Sequence, residues 1–268
     1  MLLSIIWNPS PEIFTIPGIN WPVRWYGLMW ALSFILSHYV LQKVYKIENR
    51  KQQDLDSLTL YIMLGTIIGA RLGHCLFYDT YFYLTHPLEI LKIYEGGLAS
   101  HGGAIGIIFS IWLYSKKHKE DIWWVLDKII LVVPLAGLLI RFGNLMNSEI
   151  IGKATNLPFG FVFTAIDNTP RHPSQLYEAI YCLILFILFL YLWKEKRAHV
   201  NNGFMFGLFC IFLFTFRFFI EFLKENQEDF ESKLPINMGQ ILSIPFVLIG
   251  IYLVIKKRKV KDLSLNNK

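Results

Sequence analysis

Seven long apolar stretches, separated by short runs of charge, constrain most strongly what this chain of 268 residues can fold into. They lie at approximately 25–42, 59–78, 98–115, 122–141, 175–193, 203–222 and 237–255. Each is close to the roughly 20 residues that a helix needs to cross a hydrocarbon core. Only 17% of the residues are charged, against about 25% in soluble domains. The pattern predicts an all-α, polytopic membrane protein with seven transmembrane helices in a single integral membrane domain, 1–268.

The basic residues indicate how these helices are oriented. Three or more Lys or Arg follow the first, third, fifth and seventh stretches, whereas the N-terminal segment and the other connections hold one or two each. Because Lys and Arg concentrate on the cytoplasmic side, this alternation predicts an outside N-terminus and a cytoplasmic C-terminus in a bacterial inner membrane. The net charge of +6 is therefore an orientation signal, and no nucleic-acid partner is expected.

Regularly spaced glycines predict close packing of helices. Gly65, Gly69 and Gly73 recur at every fourth residue of the second stretch, and Gly102 and Gly106 repeat the spacing in the third. Such small-residue faces let helices approach closely within a membrane.

The longest outer connection, 144–174, predicts a small folded cap outside the cytoplasm, with room for a short hairpin.

Polar residues gather at one predicted depth, near the outer leaflet. His101 lies about one turn into the third stretch from outside, Arg141 ends the fourth, and Arg217 lies deep in the sixth. The same outer level holds Tyr26, Arg71, Asn144, Asn147, Glu149, His172, Gln175, Tyr177, Glu178 and Glu221. Ionisable groups within membrane spans are functional candidates by default.

Each residue also has a structural interpretation. Arg71 and Arg141 suit snorkelling helix ends, Arg217 suits an i,i+4 pair with Glu221, and His101 suits a hydrogen-bonded core histidine. The three cysteines, which show no metal or redox spacing, suit small buried hydrophobes. Only the shared depth of the polar residues favours a site.

The chemistry available to such a site is restricted. Arginine binds phosphate through a planar fork, and two arginines at head-group depth suit an anionic phospholipid. A histidine suits a base that deprotonates a thiol or hydroxyl. The chain has neither a Gly-x-Ser-x-Gly elbow nor a His-Glu-x-x-His pair. A ligand set for a catalytic metal is also missing, so no cofactor is expected. These residues do not identify the acceptor.

The run RFGNLMNSEIIG, 141–152, resembles the signature of the prolipoprotein diacylglyceryl transferases, Gly-Arg-x-Gly-Asn-Phe-x-Asn-x-Glu-x-x-Gly. Further matches occur in order at WYGLM (25–29), GARLG (69–73), GG (96–97) with HGG (101–103), RHPSQLYE (171–178), Arg217 with Glu221, and MGQ (238–240). The chain departs from the family pattern at Ile140, Leu145, Ser148 and Lys224, where Gly, Phe, Gly and Arg are expected.

The resemblance implies that phosphatidylglycerol donates a diacylglyceryl group to the lipobox cysteine of a preprolipoprotein, the first step of lipoprotein maturation. Under this hypothesis His101 takes the thiol proton, Arg141 and Arg217 hold the phosphodiester, and Glu149 is a rival base. The implied substrate-binding residues are Tyr26, Arg71, Asn144, Asn147, Gly152, His172, Gln175, Tyr177 and Glu221. Other membrane lipids are further expected partners.

Two alternatives belong to other classes. A transporter for an anionic lipid or metabolite would also place arginines in a bundle, but near the membrane midplane and among interrupted or repeated helices. A structural scaffold would not need Arg217 or His101 in its spans.

Overall fold

The computed structural model describes residues 4–18, 20–93, 96–196, 199–226 and 234–258. Among the basic residues behind the predicted orientation, Arg197, Lys233, Lys259 and Lys261 lie outside these ranges. The chain divides into two compact units, one formed by residues 38–126 and the other by 1–37 with 127–268.

Helices dominate both units. The helices are α1 (Trp25–Ile47), α2 (Gln52–Phe77), α3 (Thr80–Thr85), α4 (Ser100–His118), α5 (Ile122–Ile129), α6 (Val133–Met146), α7 (Ser174–Lys196), α8 (Phe204–Ile220) and α9 (Met238–Lys257). Two 3-10 turns, Pro87–Leu91 and Glu221–Leu223, follow α3 and α8. The strands are β1 (Ile5–Trp7), β2 (Glu12–Ile16), β3 (Trp21–Arg24), β4 (Phe161–Phe163) and β5 (Pro170–Arg171).

Among the described helices, four are long and apolar enough to cross a membrane: α2, α7, α8 with its 3-10 turn, and α9. The pair α5 and α6 adds a fifth if it forms one bent span. The chain is therefore a mostly helical, polytopic membrane protein. The predicted first and third stretches are helical, as α1 and α4, but they are not among the helices that meet this criterion. Their composition is more polar and includes Ser33, His38 and the run SHGG at 100–103.

The predicted span at 122–141 is not one continuous helix. The chain breaks between α5 and α6, the two helices are bent by 43°, and α6 continues to Met146. Pro134 stands in the first turn of α6, where its missing N–H costs no helical hydrogen bond. Ile130, Leu131 and Val132 fill the break and are buried.

In the unit of residues 38–126, α2 and α4 pack through their glycine faces. A Cβ added at Gly102 would overlap the carbonyl oxygen of Gly69, and one added at Gly106 would overlap the carbonyl oxygen of Gly65. The predicted close approach of the two faces is therefore confirmed. Adjacent Gly103 is different, since its added Cβ would lie 3.6 Å from the Cβ of Ala70.

In the other unit, a small sheet packs at the end of α6. Strand β4 lies between β1, which pairs with it in parallel, and β5, which is antiparallel to it. The buried residues Leu145, Phe161 and Phe163 form a core there. Trp7 donates a hydrogen bond from Nε1 to the carbonyl oxygen of Leu145 over 2.9 Å. A separate hairpin joins β2 to β3. Segment 144–174, where a cap is predicted, thus contains β4 and β5.

Replacing Gly102 by alanine should destabilise the α2–α4 crossing by about 1–3 kcal/mol, because the methyl group meets backbone that cannot rotate away. Thermal unfolding in mild detergent measures the loss. Gly103→Ala is the matched control and should be neutral or slightly stabilising, since alanine favours helix where space allows. Equal melting temperatures for the two variants would contradict this packing.

Candidate active site

Five charged side chains of alternating sign join α6, α7 and the end of α8. Nε of Arg141 lies 3.0 Å from Oε2 of Glu178. Nζ of Lys224 lies 3.7 Å from Oε1 of Glu178 and 2.9 Å from Oε1 of Glu221. Nη2 of Arg217 lies 3.7 Å from that same Glu221 oxygen. We call these five residues the charge network; its three cations exceed its two carboxylates by one positive charge.

Burial differs sharply between the middle and the ends of the charge network. Lys224 is 1% exposed, and Glu178 and Glu221 are also buried. The side chains of Arg141 and Arg217 are 20% and 39% exposed. Among the described residues, the guanidinium of Arg217 has the single ion pair to Glu221, at 3.7 Å. Because the middle carboxylates are shared with Lys224, the excess positive charge falls on the accessible arginines, which are thus able to bind an anion.

The carboxylate of Glu221 is also held by the first turn of α9. Asn237 caps this helix, since its Oδ1 accepts from the backbone N–H of Gln240 over 2.9 Å. Its Nδ2 donates to Oε2 of Glu221 over 3.2 Å. A Cβ at Gly239 would lie 2.5 Å from the carboxyl carbon of Glu221, so glycine leaves the space that this side chain occupies. The positive end of the α9 dipole favours a carboxylate here.

The loop after α6 extends the polar contacts of Arg141. Nη1 of Arg141 donates to Oδ1 of Asn144 over 3.2 Å. Asn144 in turn donates to Oε2 of Glu149 over 3.1 Å, and Asn147 donates to the other oxygen, Oε1, over 3.0 Å. Both carboxylate oxygens of Glu149 therefore accept hydrogen bonds. The structure brings together these four residues, each of which the sequence predicts for the site.

The backbone of this loop is strained. Ser148 and Ile150 adopt positive φ angles of 54° and 56°, and for a β-branched residue such as Ile150 this conformation is rare. Two fully buried residues from α7 hold it: Ser174 donates from Oγ to the carbonyl oxygen of Ile150 over 2.7 Å, and Gln175 donates from Nε2 to that of Glu149 over 2.6 Å. Strain that packing imposes in this way is common at functional sites.

Gly152 permits a close approach of three backbone segments. Its N–H donates to the carbonyl oxygen of His172 over 3.0 Å, and an added Cβ would lie 2.8 Å from the carbonyl oxygen of Leu223. Gly152 also forms an isolated antiparallel bridge with Lys224. This glycine thereby helps to place the buried lysine of the charge network.

Three other predicted residues lie in this unit. The ring of Tyr26 packs against α6 at Gly143, where an added Cβ would be 3.0 Å from the ring. Nδ1 of His172 lies 3.3 Å from the hydroxyl oxygen of Tyr177. Burial lowers the pKa of His172, because desolvation disfavours the charged imidazolium.

Two predicted residues belong to the unit of residues 38–126. Arg71 is buried and donates to the carbonyl oxygens of Glu89, Ile90, Gly96 and Gly97 over 2.6–3.2 Å. These bonds give Arg71 a structural role, and its contact with substrate stays a prediction. His101 lies in the first turn of α4 with an exposed side chain, and it has no hydrogen bond or ion pair within the described part of the chain.

Sequence reasoning missed the buried centre of the charge network. Lys224 was predicted only as a departure from a family pattern, and Glu178 only as part of the polar layer. The i,i+4 and i,i+7 spacing of Glu221 and Lys224 from Arg217 would have placed all three on one helical face. Asn237 was also missed, although Asn-x-x-Gln before an apolar run is the signature of a capping box.

Together the fold and this geometry define a mostly helical membrane protein with a partly exposed cationic site. The family model of the prolipoprotein diacylglyceryl transferases matches residues 11–256. A phosphatidylglycerol–prolipoprotein diacylglyceryl transferase of Bacteroides fragilis is 48% identical over an alignment of 276 positions, which covers 97% of this chain and 99% of the relative. One of Tolumonas auensis is 45% identical over 258 residues, covering 96% and 99%. The chain belongs to the prolipoprotein diacylglyceryl transferase family, which confirms the resemblance found in its motifs.

Replacing Lys224 by methionine should lower the free energy of unfolding by about 3–5 kcal/mol, because two buried carboxylates lose the cation between them. Unfolding in detergent measures this loss. Exposed Lys153, whose backbone N–H bonds to Leu223, supplies the control Lys153→Met, which should change stability by less than about 0.5 kcal/mol. A Lys224→Met protein as stable as the wild type would show that the charges do not support one another.

Proposed function

We propose that this protein transfers the diacylglyceryl group of phosphatidylglycerol to the lipobox cysteine of preprolipoproteins. The reaction forms a thioether and releases glycerol phosphate, as the first step of lipoprotein maturation. The observation that carries the proposal is the pair of accessible arginines, Arg141 and Arg217, at the two ends of a buried charge network. The names of the relatives agree with this donor and this class of acceptor.

The reaction needs no nucleophile from the enzyme, because the acceptor supplies its own sulfur. A base removes the thiol proton, and the thiolate attacks the glyceryl carbon that carries the phosphate ester. The bond between that carbon and the ester oxygen breaks, and its electron pair leaves with the phosphate. Negative charge therefore grows on the departing phosphate, where the guanidinium groups of Arg141 and Arg217 stabilise it. Tyr26, Asn144 and Asn147 position the head group.

His101 is the proposed base. In the rival, Glu149, each carboxylate oxygen already accepts a hydrogen bond from an asparagine, Asn144 or Asn147, and these contacts suit a positioning role. The exposed ring of His101 has no such partner within the described residues. Glu149 instead positions the two asparagines beside Arg141.

The remaining predicted substrate-binding residues fall into two groups. Tyr177 and His172 are proposed to contact substrate at the N-terminal end of α7. The observed contacts of Gln175, Gly152 and Glu221 support a positioning role, since each holds backbone or a charged side chain in place. Arg71 is proposed to act in the same way on the loop that precedes α4.

The orientation follows from the charge pattern. We propose seven spans with an outside N-terminus and a cytoplasmic C-terminus in the bacterial inner membrane. Arg141 and Arg217 lie near the ends of α6 and α8, which in this orientation are at the outer leaflet. Segment 144–174 then forms the cap on the periplasmic side of a single membrane domain.

A transporter is less well supported. The break between α5 and α6 is an interrupted helix of the kind that transporters use. Its residues, however, are the buried aliphatic Ile130, Leu131 and Val132, and they offer no polar side chain to a solute.

The activity is tested with purified protein, phosphatidylglycerol in mild detergent, and a synthetic lipobox peptide. The expected product is a peptide heavier by one diacylglyceryl unit, with glycerol phosphate released. The same peptide with serine in place of the acceptor cysteine should remain unmodified. A folded protein that binds phosphatidylglycerol yet modifies neither peptide would contradict the transferase and favour a transporter.

The phosphate-binding role predicts that Arg217→Lys lowers kcat/KM at least about tenfold, because lysine cannot offer the planar fork of two N–H donors. Initial rates of peptide modification measure the effect. Arg24→Lys is the matched control, since Arg24 is largely exposed in a surface pair with Glu12. Full activity of Arg217→Lys would exclude bidentate phosphate binding.

The two candidate bases are separated by His101→Ala and Glu149→Gln. Loss of a general base should lower kcat by about 10²–10⁴-fold, and we expect that loss for His101→Ala. Glu149→Gln should retain more activity, since glutamine still offers one acceptor oxygen to the asparagines. The reverse order of the two rates would assign the base to Glu149.

A further inference from the structure

A second concentration of positive charge surrounds a cavity at the C-terminal end of α1. The cavity has a volume of about 490 Å³, within the usual range for ligand sites. Its lining residues are Tyr39, Gln42, Lys43, Lys46, Arg50 and Gln52. This lining contains three cations and two amides, and no carboxylate is among these six residues.

The two lysines of the cavity lining are available to an anion. Lys43 and Lys46 are exposed and form no ion pair with a described residue. Nζ of Lys43 lies 4.4 Å from the ring centre of Tyr39, a contact that leaves its N–H donors available. Lysines that only orient a helix need not converge on a cavity, but these two line the same one.

Arg50 forms a fixed side of the cavity. Its Nη1 donates to Oε1 of Glu120 over 2.9 Å, and its guanidinium lies 4.3 Å from the ring centre of Trp124. Gln52 donates to Asp56 over 3.3 Å. Glu120 and Asp56 are thus engaged with residues of the lining, and neither pairs with the two lysines.

The position of the cavity fits a lipid head group. Gln52 is the first residue of α2, a helix long and apolar enough to span the membrane, so the cavity lies at a membrane boundary. On α1 the exposed residues Ile35, Tyr39 and Lys43 follow one another at four-residue spacing and share one helical face. Along the helix this face changes from apolar to aromatic to cationic. A phospholipid in a bilayer presents its acyl chains, its interfacial region and its phosphate in the same order.

We propose that this cavity binds the phosphate of an anionic phospholipid, whose acyl chains lie along the face of α1 that carries Ile35 and Tyr39. The cations recognise the phosphate, and the apolar face selects a lipid over a free anion. None of these residues belongs to the charge network, so the inference does not depend on the proposed function. Lysine, a flexible point charge, suits a head group that exchanges with the bilayer.

The test measures phosphatidic acid binding by native mass spectrometry of the full chain in neutral detergent. All variants carry Arg217→Gln, so that any lipid bound at the proposed active site does not mask binding at the cavity. Lys43→Gln with Lys46→Gln should weaken the remaining binding about thirtyfold, or about fivefold for each lysine. Lys116→Gln with Lys117→Gln is the matched control, because these exposed lysines lie at the same end of this unit but do not line the cavity. The control should change affinity less than twofold.

Two further arms identify the ligand. Phosphatidylcholine should bind at least tenfold more weakly than phosphatidic acid, and 10 mM inorganic phosphate should not displace the lipid. Unchanged affinity in the Lys43/Lys46 variant, or an equal loss in the Lys116/Lys117 control, would overturn the site. Equal binding of phosphatidylcholine would overturn recognition of charge, and displacement by phosphate would overturn the choice of a lipid. With Arg217 restored, the Lys43/Lys46 variant should keep wild-type transfer rates, which separates this site from the proposed reaction.

Discussion

The pairing of Lys224 with two buried glutamates is the interaction on which this part of the protein depends. An ammonium group that is 1% exposed carries a desolvation cost of several kcal/mol unless carboxylates compensate it. Glu178 comes from α7 and Glu221 from the end of α8, so both elements must meet where the lysine lies. The first turn of α9 is drawn to the same point through Asn237. Gly152 and Gly239 supply the space that this convergence requires.

Buried ion pairs are weak evidence for net stability, since an apolar replacement of the whole group is often as stable. Their effect here is on geometry. Because Glu178 and Glu221 each face Lys224 as well as an arginine, neither carboxylate neutralises its arginine fully. Arg141 and Arg217 are thereby held in place and yet remain able to attract an anion. An arrangement with two isolated arginine–glutamate pairs would hold the guanidinium groups equally well and leave less positive charge for a ligand.

The helices, the glycine faces and the family could be predicted from the sequence, because they depend on local patterns. Apolar length placed the helices, four-residue glycine spacing predicted faces that allow close helix approach, and motif order identified the family. The break at residues 130–132 was not accessible, since Ile, Leu and Val there maintain the hydropathy of a continuous span. Lys224 was missed for a related reason: a lysine just after an apolar stretch has the pattern of a solvated helix end, and only tertiary contacts bury it.

The loop at 147–151 marks the limit of such reasoning. A β-branched residue opposes a positive φ, so the sequence around Ile150 predicts the wrong local backbone. The fully buried Ser174 and Gln175 impose the conformation from another helix. The strained turn directs Glu149 back toward Asn144, and through it toward Arg141. In the proposed reaction the cysteine provides the nucleophile, and the protein's task is to present fixed positive charge to a departing phosphate. Electrostatic stabilisation of this kind is largest when the charges need not reorganise during the reaction. A backbone held under strain by buried hydrogen bonds, next to a lysine that cannot leave its two carboxylates, meets that requirement.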